Sequence, residues 1–367
     1  MKDELLALSH GEEKLLEVHN RLAQAVEQLT TGDEWRRAIE FAARFRSRSF
    51  NNTLLIWAQH SAAYEKGLVL APTPTFVAGF RQWQQLGHQV LKGQRGYAIL
   101  APVTASFAAV EPDDSKSWRR LPRGEKPHDG ETLHSRMIGV KPAYVWDISQ
   151  TSGPPVPQQQ LPALLRGEAP AGLWEGLARL VEDEGFALSL VADAAAIGRA
   201  NGRTDFVART VCVRGDMDAA AQVKTLSHEL AHIRLHGPDN RDATLHRGIG
   251  EVEAESVALM IGAAHRLDTS DYTVPYVSTW AMSVDGKTPV EVVQATAERV
   301  RSAAVAILSR LDTSQVGSGD PPGLTREPHT RQPTLGGGDE MGRQGGPRLS
   351  RTDRRPASRS AATGRVL

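Results

Sequence analysis

Apolar positions at the start of the chain recur at helical spacing: Leu5, Leu8, Leu15, Leu16, Val18, Leu22, Val26 and Leu29. Residues 1–64 read as helical on this pattern. Gly11 and the Thr-Thr-Gly-Asp stretch at 30–33 are breaks, and a second helix covers 34 to about 60. Pro72 and Pro74 mark a loop. A short helix is predicted over 78–87. Residues 89–103 read as two strands around the turn Lys92-Gly93-Gln94-Arg95-Gly96, and 137–148 as another strand. The polar, turn-rich 104–136 between them reads as a long loop.

The stretch GPPVPQQQLP at 153–162 is the best linker candidate. Beyond it the pattern predicts a helix at 173–184 and strands at 186–192 and 205–213. A helix then starts at Asp216 or Asp218, either a good N-cap, and runs to His236, where Gly237-Pro238 stops it. A further helix covers 251–266. The last opens on a capping box, Thr288-Pro289-Val290-Glu291, with proline at the first helical position, and ends near Arg310. Past 312 almost no apolar residues remain, which predicts disorder. The pattern thus describes an α+β chain: a domain at 1–152, a linker at 153–170, a second domain at 171–311 and a tail at 312–367.

Composition changes this picture little. The chain has 367 residues, and Lys plus Arg equals Asp plus Glu at 43 each, so net charge points to no partner. Charge is informative only locally: residues 343–367 hold seven arginines and one acid, Asp353, a basic tail of the kind that touches nucleic acid. The one cysteine, Cys212, excludes an internal disulfide and reads as a small buried hydrophobe. The N-terminus lacks the apolar core of a secretory signal, and no apolar run reaches the roughly 18–20 residues of a membrane span. A cytoplasmic protein without membrane contact is the expectation.

Candidate chemistry centres on His228-Glu229-Leu230-Ala231-His232. On a helix, positions i and i+4 share a face, so both imidazoles can reach one ion. Zinc in such a site lowers the pKa of a bound water toward about 7, and Glu229 is placed to take its proton as general base. Other divalent ions accept the same ligand types. A catalytic zinc needs a third protein ligand. The extended motif with a third histidine requires Gly at 235 and His at 238. This chain has Leu235 and Pro238, so that branch is excluded. Three acids open the following helix, in Glu251-Val252-Glu253-Ala254-Glu255. Glu251 is the preferred ligand. Glu255, one turn on, would hold the second nitrogen of a ligand histidine. Glu253 points away in this reading and stands as the alternative ligand.

His236 continues the histidine stripe and reads as a partner of the helix C-terminal dipole. His246 and His265 either line a cleft or are ordinary surface histidines. Tyr272 and Tyr276 are candidates to stabilise an oxyanion, with aromatic packing as the plainer alternative.

In the N-terminal half, Arg44, Arg46 and Arg48 interleave with Phe45, Phe50 and Trp57. Asn51 and Asn52 lie among them, and Arg81, Trp83, His88, Lys92 and Arg95 follow. Basic residues track phosphates, aromatics stack on unpaired bases and amides read base edges. Composition alone favours a core with a solvated basic face.

The segments FAARFRSRSFNNTLLIWAQ, PTFVAGFRQWQQLGHQVLKGQRGYAILAPV and YVWDISQTSGPPVP, within 35–157, resemble the single-stranded-DNA-binding domain of the ArdC antirestriction family. The 104–136 stretch and the tail are outside this resemblance. SHELAHIRLH and EVEAESVALMIGAAHRLDTSDYTVPYVSTWA are similar to that family's metallopeptidase-like domain and to the ImmA/IrrE zinc peptidases. In that pattern the ligand acid is the first residue of Glu-x-x-Ala-(Asp/Asn/Glu), the place Glu251 takes. The resemblance implies single-stranded DNA as a partner, a zincin-like fold for the second domain, and protection of incoming DNA. The expected function is a DNA-binding antirestriction protein carrying a zinc peptidase site for an unknown protein or peptide substrate. The alternative is a DNA-binding shield or decoy whose metal is structural.

Overall fold

A computed structural model describes residues 2–324, apart from 30, 123, 157–163, 165, 239–246, 271, 273–280 and 282–285, and apart from the side chains of 2–10, 247 and 248. The expectations on Tyr276, His246, residues 157–163 and 165 of the linker, and the tail beyond 324 lie outside the described residues.

Three helices come first: α1 (Lys2–Glu27), α2 (Gly32–Ala43) and α3 (Phe50–Glu65). Gly11 does not break α1. Its buried stripe is Val18, Leu22, Ala25 and Val26, with Leu29 buried just past its end, while Leu16 faces solvent. The helix predicted over 34–60 is two helices. Ser49 caps the second, its side chain accepting from the Asn52 N–H, so the chain turns at 44–49 where apolar periodicity alone reads straight through. At the start of α2, Thr31 and Glu34 form a full capping box.

The first sheet has the order β1-β5-β3-β4, all antiparallel, with β1 (Val77–Gly79), β3 (Tyr97–Ala109), β4 (Arg119–Arg120) and β5 (Thr132–Asp147). The stretch predicted as a loop at 104–136 is largely strand. β3 and β5 continue past a register shift at Val103/Thr104 to the pair Ala109↔Thr132, forming a long two-stranded arm with β4 on one side. In the arm β5 is exposed along most of its length and β3 alternates only between half-buried and exposed positions before Ala108 and Ala109, so the apolar–polar alternation that marks a strand is weak in the sequence. Between β1 and β3 lie α4 (Phe80–Gln85) and β2 (Gln89–Val90), the latter paired with β6 (Thr151–Ser152).

The second half runs through α5 (Leu173–Asp183), β7 (Ala187–Val191), β8 (Gly202–Asp205), β9 (Thr210–Arg214), α6 (Ala219–Leu235), α7 (Arg247–Ala264) and α8 (Pro289–Leu308). Its sheet has the order β7-β9-β8, with β9 parallel to β7 and antiparallel to β8. The strand predicted over 205–213 is the turn and second arm of the β8–β9 hairpin. Arg209, at φ 51°, makes that turn. Val211 and Val213 point into the core. Cys212 faces the other way, half-buried beside the Ser189 hydroxyl at 3.3 Å, rather than in the core as its type suggested. Asp218, not Asp216, caps α6, and the Thr288 capping box opens α8 as the sequence predicts.

Residues 1–324 form one compact unit. One apolar core takes Val18, Trp35 and Leu54 from the first half together with Leu177, Leu226, Val257 and Val300 from the second, while a second cluster around Phe41, Phe45 and Val77 belongs to the first half alone. The Trp35 indole donates to the Ser256 hydroxyl at 2.8 Å. Glu298 of α8 accepts from the Phe50 N–H at the start of α3, where the helix dipole favours a carboxylate. The two predicted domains therefore pack as one body across the 153–170 segment. Residues 312–324, expected as tail, also lie against this body. The Gly319 carbonyl accepts from Val77 N–H at 2.9 Å, and Gly319 itself has φ 86° with no room for a Cβ against Phe45. No helix among the described residues is long and apolar enough to cross a membrane.

Candidate metal centre

The histidine motif occupies the C-terminal half of α6, whose buried side carries Leu226, Leu230 and Ala231. That packing turns His228 and His232 toward α7 as a pair, with ring centroids 4.7 Å apart and Nε2 atoms 3.0 Å apart. Glu251, on the first turns of α7, closes the group. Its Oε2 is 3.5 Å from His228 Nε2 and its Oε1 is 3.7 Å from His232 Nε2. One ligand atom from each of the three falls within 4.8 Å of the others.

The outer nitrogens are held as well. His228 Nδ1 is 3.3 Å from Glu255, whose other oxygen pairs with Lys224 at 2.9 Å. His232 Nδ1 is 2.9 Å from His236 Nδ1, and His236 Nε2 is 2.9 Å from Glu253. Glu253 is buried and also bound by Arg299, with Arg299 Nε at 2.6 Å. Glu253 is thus not part of the ligand cluster, and it does not point to solvent. It faces the C-terminal end of α6 and α8.

The electrostatics favour a cation between these groups. Burial pulls the His228 pKa down, but Glu251 and Glu255 outweigh it and raise it to about 9. The same histidines hold the Glu251 carboxyl well below the usual carboxylate range. Without a metal the cluster keeps a proton on imidazole, and a divalent ion would displace it. Two neutral imidazole nitrogens and one carboxylate oxygen suit zinc and several other divalent ions.

Glu229 lies on the side of α6 toward β8. It is buried, and the Thr204 hydroxyl donates to its Oε2 at 2.6 Å. Gly202 makes room for it, since a Cβ there would sit 2.6 Å from Glu229 Oε1. Thr204, Gly202, His236, Lys224 and Arg299 were not singled out for these contacts in the sequence. Only His236, one turn beyond His232, carried a readable signal of its own.

Other expectations fare differently. Tyr272 is buried, its hydroxyl donating to the Ala258 carbonyl at 3.4 Å and its ring under Lys224 at 4.1 Å, so it packs rather than serving an oxyanion. His265 is buried between the Ile261 carbonyl and the Thr313 hydroxyl, outside the cluster.

The nucleic-acid candidates divide by burial. Phe50 and Trp83 are fully enclosed, and Trp83 donates to the Trp146 carbonyl, so neither can stack on a base. Trp57 packs on Phe41, ring centroids 5.6 Å apart. Asn52 bonds both the carbonyl and the N–H of Leu100, pinning α3 to β3. The Asn51 Oδ1 is buried. Arg46 donates to the Val316 carbonyl, and Arg48 is buried against Val77 and Asp320. Among the named residues, Arg44, Arg81, Lys92 and Arg95 present their charge to solvent.

These elements define a mixed α/β protein with a two-histidine, one-glutamate constellation beside a buried glutamate. Residues 13–146 match the family described as the N-terminal domain of anti-restriction factor ArdC. The match runs through the arm at 104–136, which the resemblance in sequence had left out. An uncharacterised protein of Bacillus anthracis is 26% identical over 262 residues, covering 65% of this chain and 42% of that protein, so the alignment spans less than half of that relative. The metal-free crystal structure of the antirestriction protein ArdC from plasmid R388 superposes with a TM-score of 0.45 at 17% identity, covering 79% of this chain and 97% of that one. Its Mn(II)-bound structure gives 0.42 at 18% identity, covering 72% and 88%.

Proposed function

We propose that this protein is an antirestriction-type protein that binds single-stranded DNA and carries a zincin-like, metal-dependent peptidase site. The observation that supports the peptidase reading best is the convergence of His228, His232 and Glu251 within 4.8 Å, beside a glutamate that is not a ligand. His228 and His232 would hold the ion through Nε2, and Glu251 through its carboxylate. A bound zinc or similar ion supplies Lewis acidity toward a peptide carbonyl and a water acidic near neutral pH. Glu229 takes a proton from the attacking water and returns it to the leaving amine. Thr204 keeps the Glu229 carboxylate fixed at its β8 side while it does so.

The test begins with metal removal. Zinc-loaded protein is expected to cleave a fluorogenic peptide library or its own chain, and exhaustive chelation is expected to abolish this until zinc is restored. Cleavage that persists after chelation would sink the peptidase reading.

For DNA, the support is the family match over 13–146 together with the exposed Arg44, Arg81, Lys92 and Arg95. Binding should favour single- over double-stranded oligonucleotides and weaken steeply with salt. About 0.7 of a power of salt concentration is expected per phosphate contacted. Equal affinity for both forms, or affinity indifferent to salt, would overturn it.

A further inference from the structure

A chain of hydrogen bonds stands behind His232, from His236 to Glu253 and Arg299. The side chain of Glu253 is 5% exposed, and its Oε1 accepts from Arg299, which leaves Oε2 to accept from His236. His236 Nε2, 2.9 Å from Glu253 Oε2, must therefore donate. A neutral imidazole that carries its hydrogen on Nε2 has a lone pair on Nδ1. In that tautomer the lone pair lies 2.9 Å from His232 Nδ1 and accepts its hydrogen. His232 is left with a bare Nε2, aimed at Glu251 and at the Nε2 of His228.

We propose that His236 is a positioning residue for the metal site. It fixes the tautomer and ring angle of His232 and transmits to it the anchorage of Glu253 and Arg299. This rests on the metal-binding reading above. The arrangement also explains an asymmetry. His228 is held by a carboxylate directly, through Glu255, while His232 is held through a second imidazole. His236 fits the role because it closes α6 one turn after His232, with its ring over Gly250, where a Cβ would come within 3.6 Å of it. The chain of bonds joins α6, α7 and α8, since Arg299 belongs to α8.

The experiment is zinc titration of the full chain against a chromophoric chelator, for the wild type, His236→Phe and His236→Gln. Phenylalanine keeps the ring volume and loses both bonds. Glutamine keeps an acceptor and a donor in the same order. His236→Phe should weaken zinc binding about 10–100-fold, the usual cost of losing a support behind a ligand histidine. His236→Gln should recover most of that loss. Equal Kd for wild type and His236→Phe overturns the role, as does an equal loss in both variants. If the wild type itself does not bind zinc, the metal reading fails and this inference fails with it. Should His236→Phe not fold, nitrogen-15 spectra of the zinc-loaded wild type decide. The proposal requires the imidazole hydrogen of His236 on Nε2, and a hydrogen on Nδ1 would refute it.

Discussion

Replacing Trp35 with alanine is expected to destabilise both halves of the chain together, by about 3–5 kcal/mol. Trp35 is completely buried on α2, its ring 6.1 Å from that of Phe50. Its indole N–H reaches Ser256 on α7, 221 positions away. Truncation removes the largest side chain at the junction and leaves a cavity between elements that cannot close it without unpacking α2 from α7. The Ser256 hydroxyl, itself buried, also loses this partner, adding about 1 kcal/mol. Against a total stability of roughly 5–15 kcal/mol, that is a large fraction. Denaturant unfolding followed by one probe on the arm and one beside α6 checks it. The two midpoints should move together. Two separate transitions, or a shift confined to one half, would show that the halves fold independently. Trp35→Phe, which keeps most of the ring but not the N–H, should cost clearly less.

That shared core is what the sequence conceals. The polar, Pro/Gln-rich stretch at 153–162 has the composition of a linker, and composition reports local solvation rather than what the flanking helices pack against. Trp35, Leu54 and Leu226 are apolar positions of helices whichever partner they choose. Only three-dimensional packing says that the partner lies across the linker. The same limit explains the arginines. Arg46 and Arg48 read as a solvated basic face because arginine usually is one, yet residues 315–320 fold back to receive them. Their burial depends on a segment 269–272 positions away that has no apolar pattern to announce it. The arm at 104–136 was missed for the opposite reason: it is a sheet with little core, and solvation removes the alternation that reveals strands.

The candidate metal cluster is more legible because its logic is local. His228 and His232 are related by helical periodicity, and that relation survives folding unchanged. Glu251 and Glu255 share a face of α7 by the same rule, and both meet the histidines. Glu253 shows where periodicity stops being informative. Its position in the helix puts it off the face shared by Glu251 and Glu255, but whether that other face meets water or protein depends on α8, and there Arg299 and His236 are waiting.

On the peptidase function proposed above, changing Glu229 to glutamine is expected to leave zinc affinity unchanged and to lower peptide hydrolysis by about 10²–10⁴-fold. The two outcomes separate because Glu229 does not belong to the ligand cluster: its carboxylate is turned toward β8, where it accepts the Thr204 hydroxyl. Glutamine fills the same space above Gly202 and still offers an oxygen to Thr204, so packing and position are conserved. What it lacks is basicity. A rate loss of that size corresponds to about 3–5 kcal/mol of transition-state stabilisation. The control is equal zinc Kd for the two proteins, measured by chelator competition. Hydrolysis that survives the substitution would remove Glu229 from the role of base. The same variant separates the two readings of the whole protein. If protection of incoming DNA persists in Glu229→Gln while hydrolysis is gone, the protein acts as a DNA shield with a metal that serves structure. If protection disappears with hydrolysis and single-stranded DNA binding is intact, cleavage of a protein target is the means by which the DNA is spared.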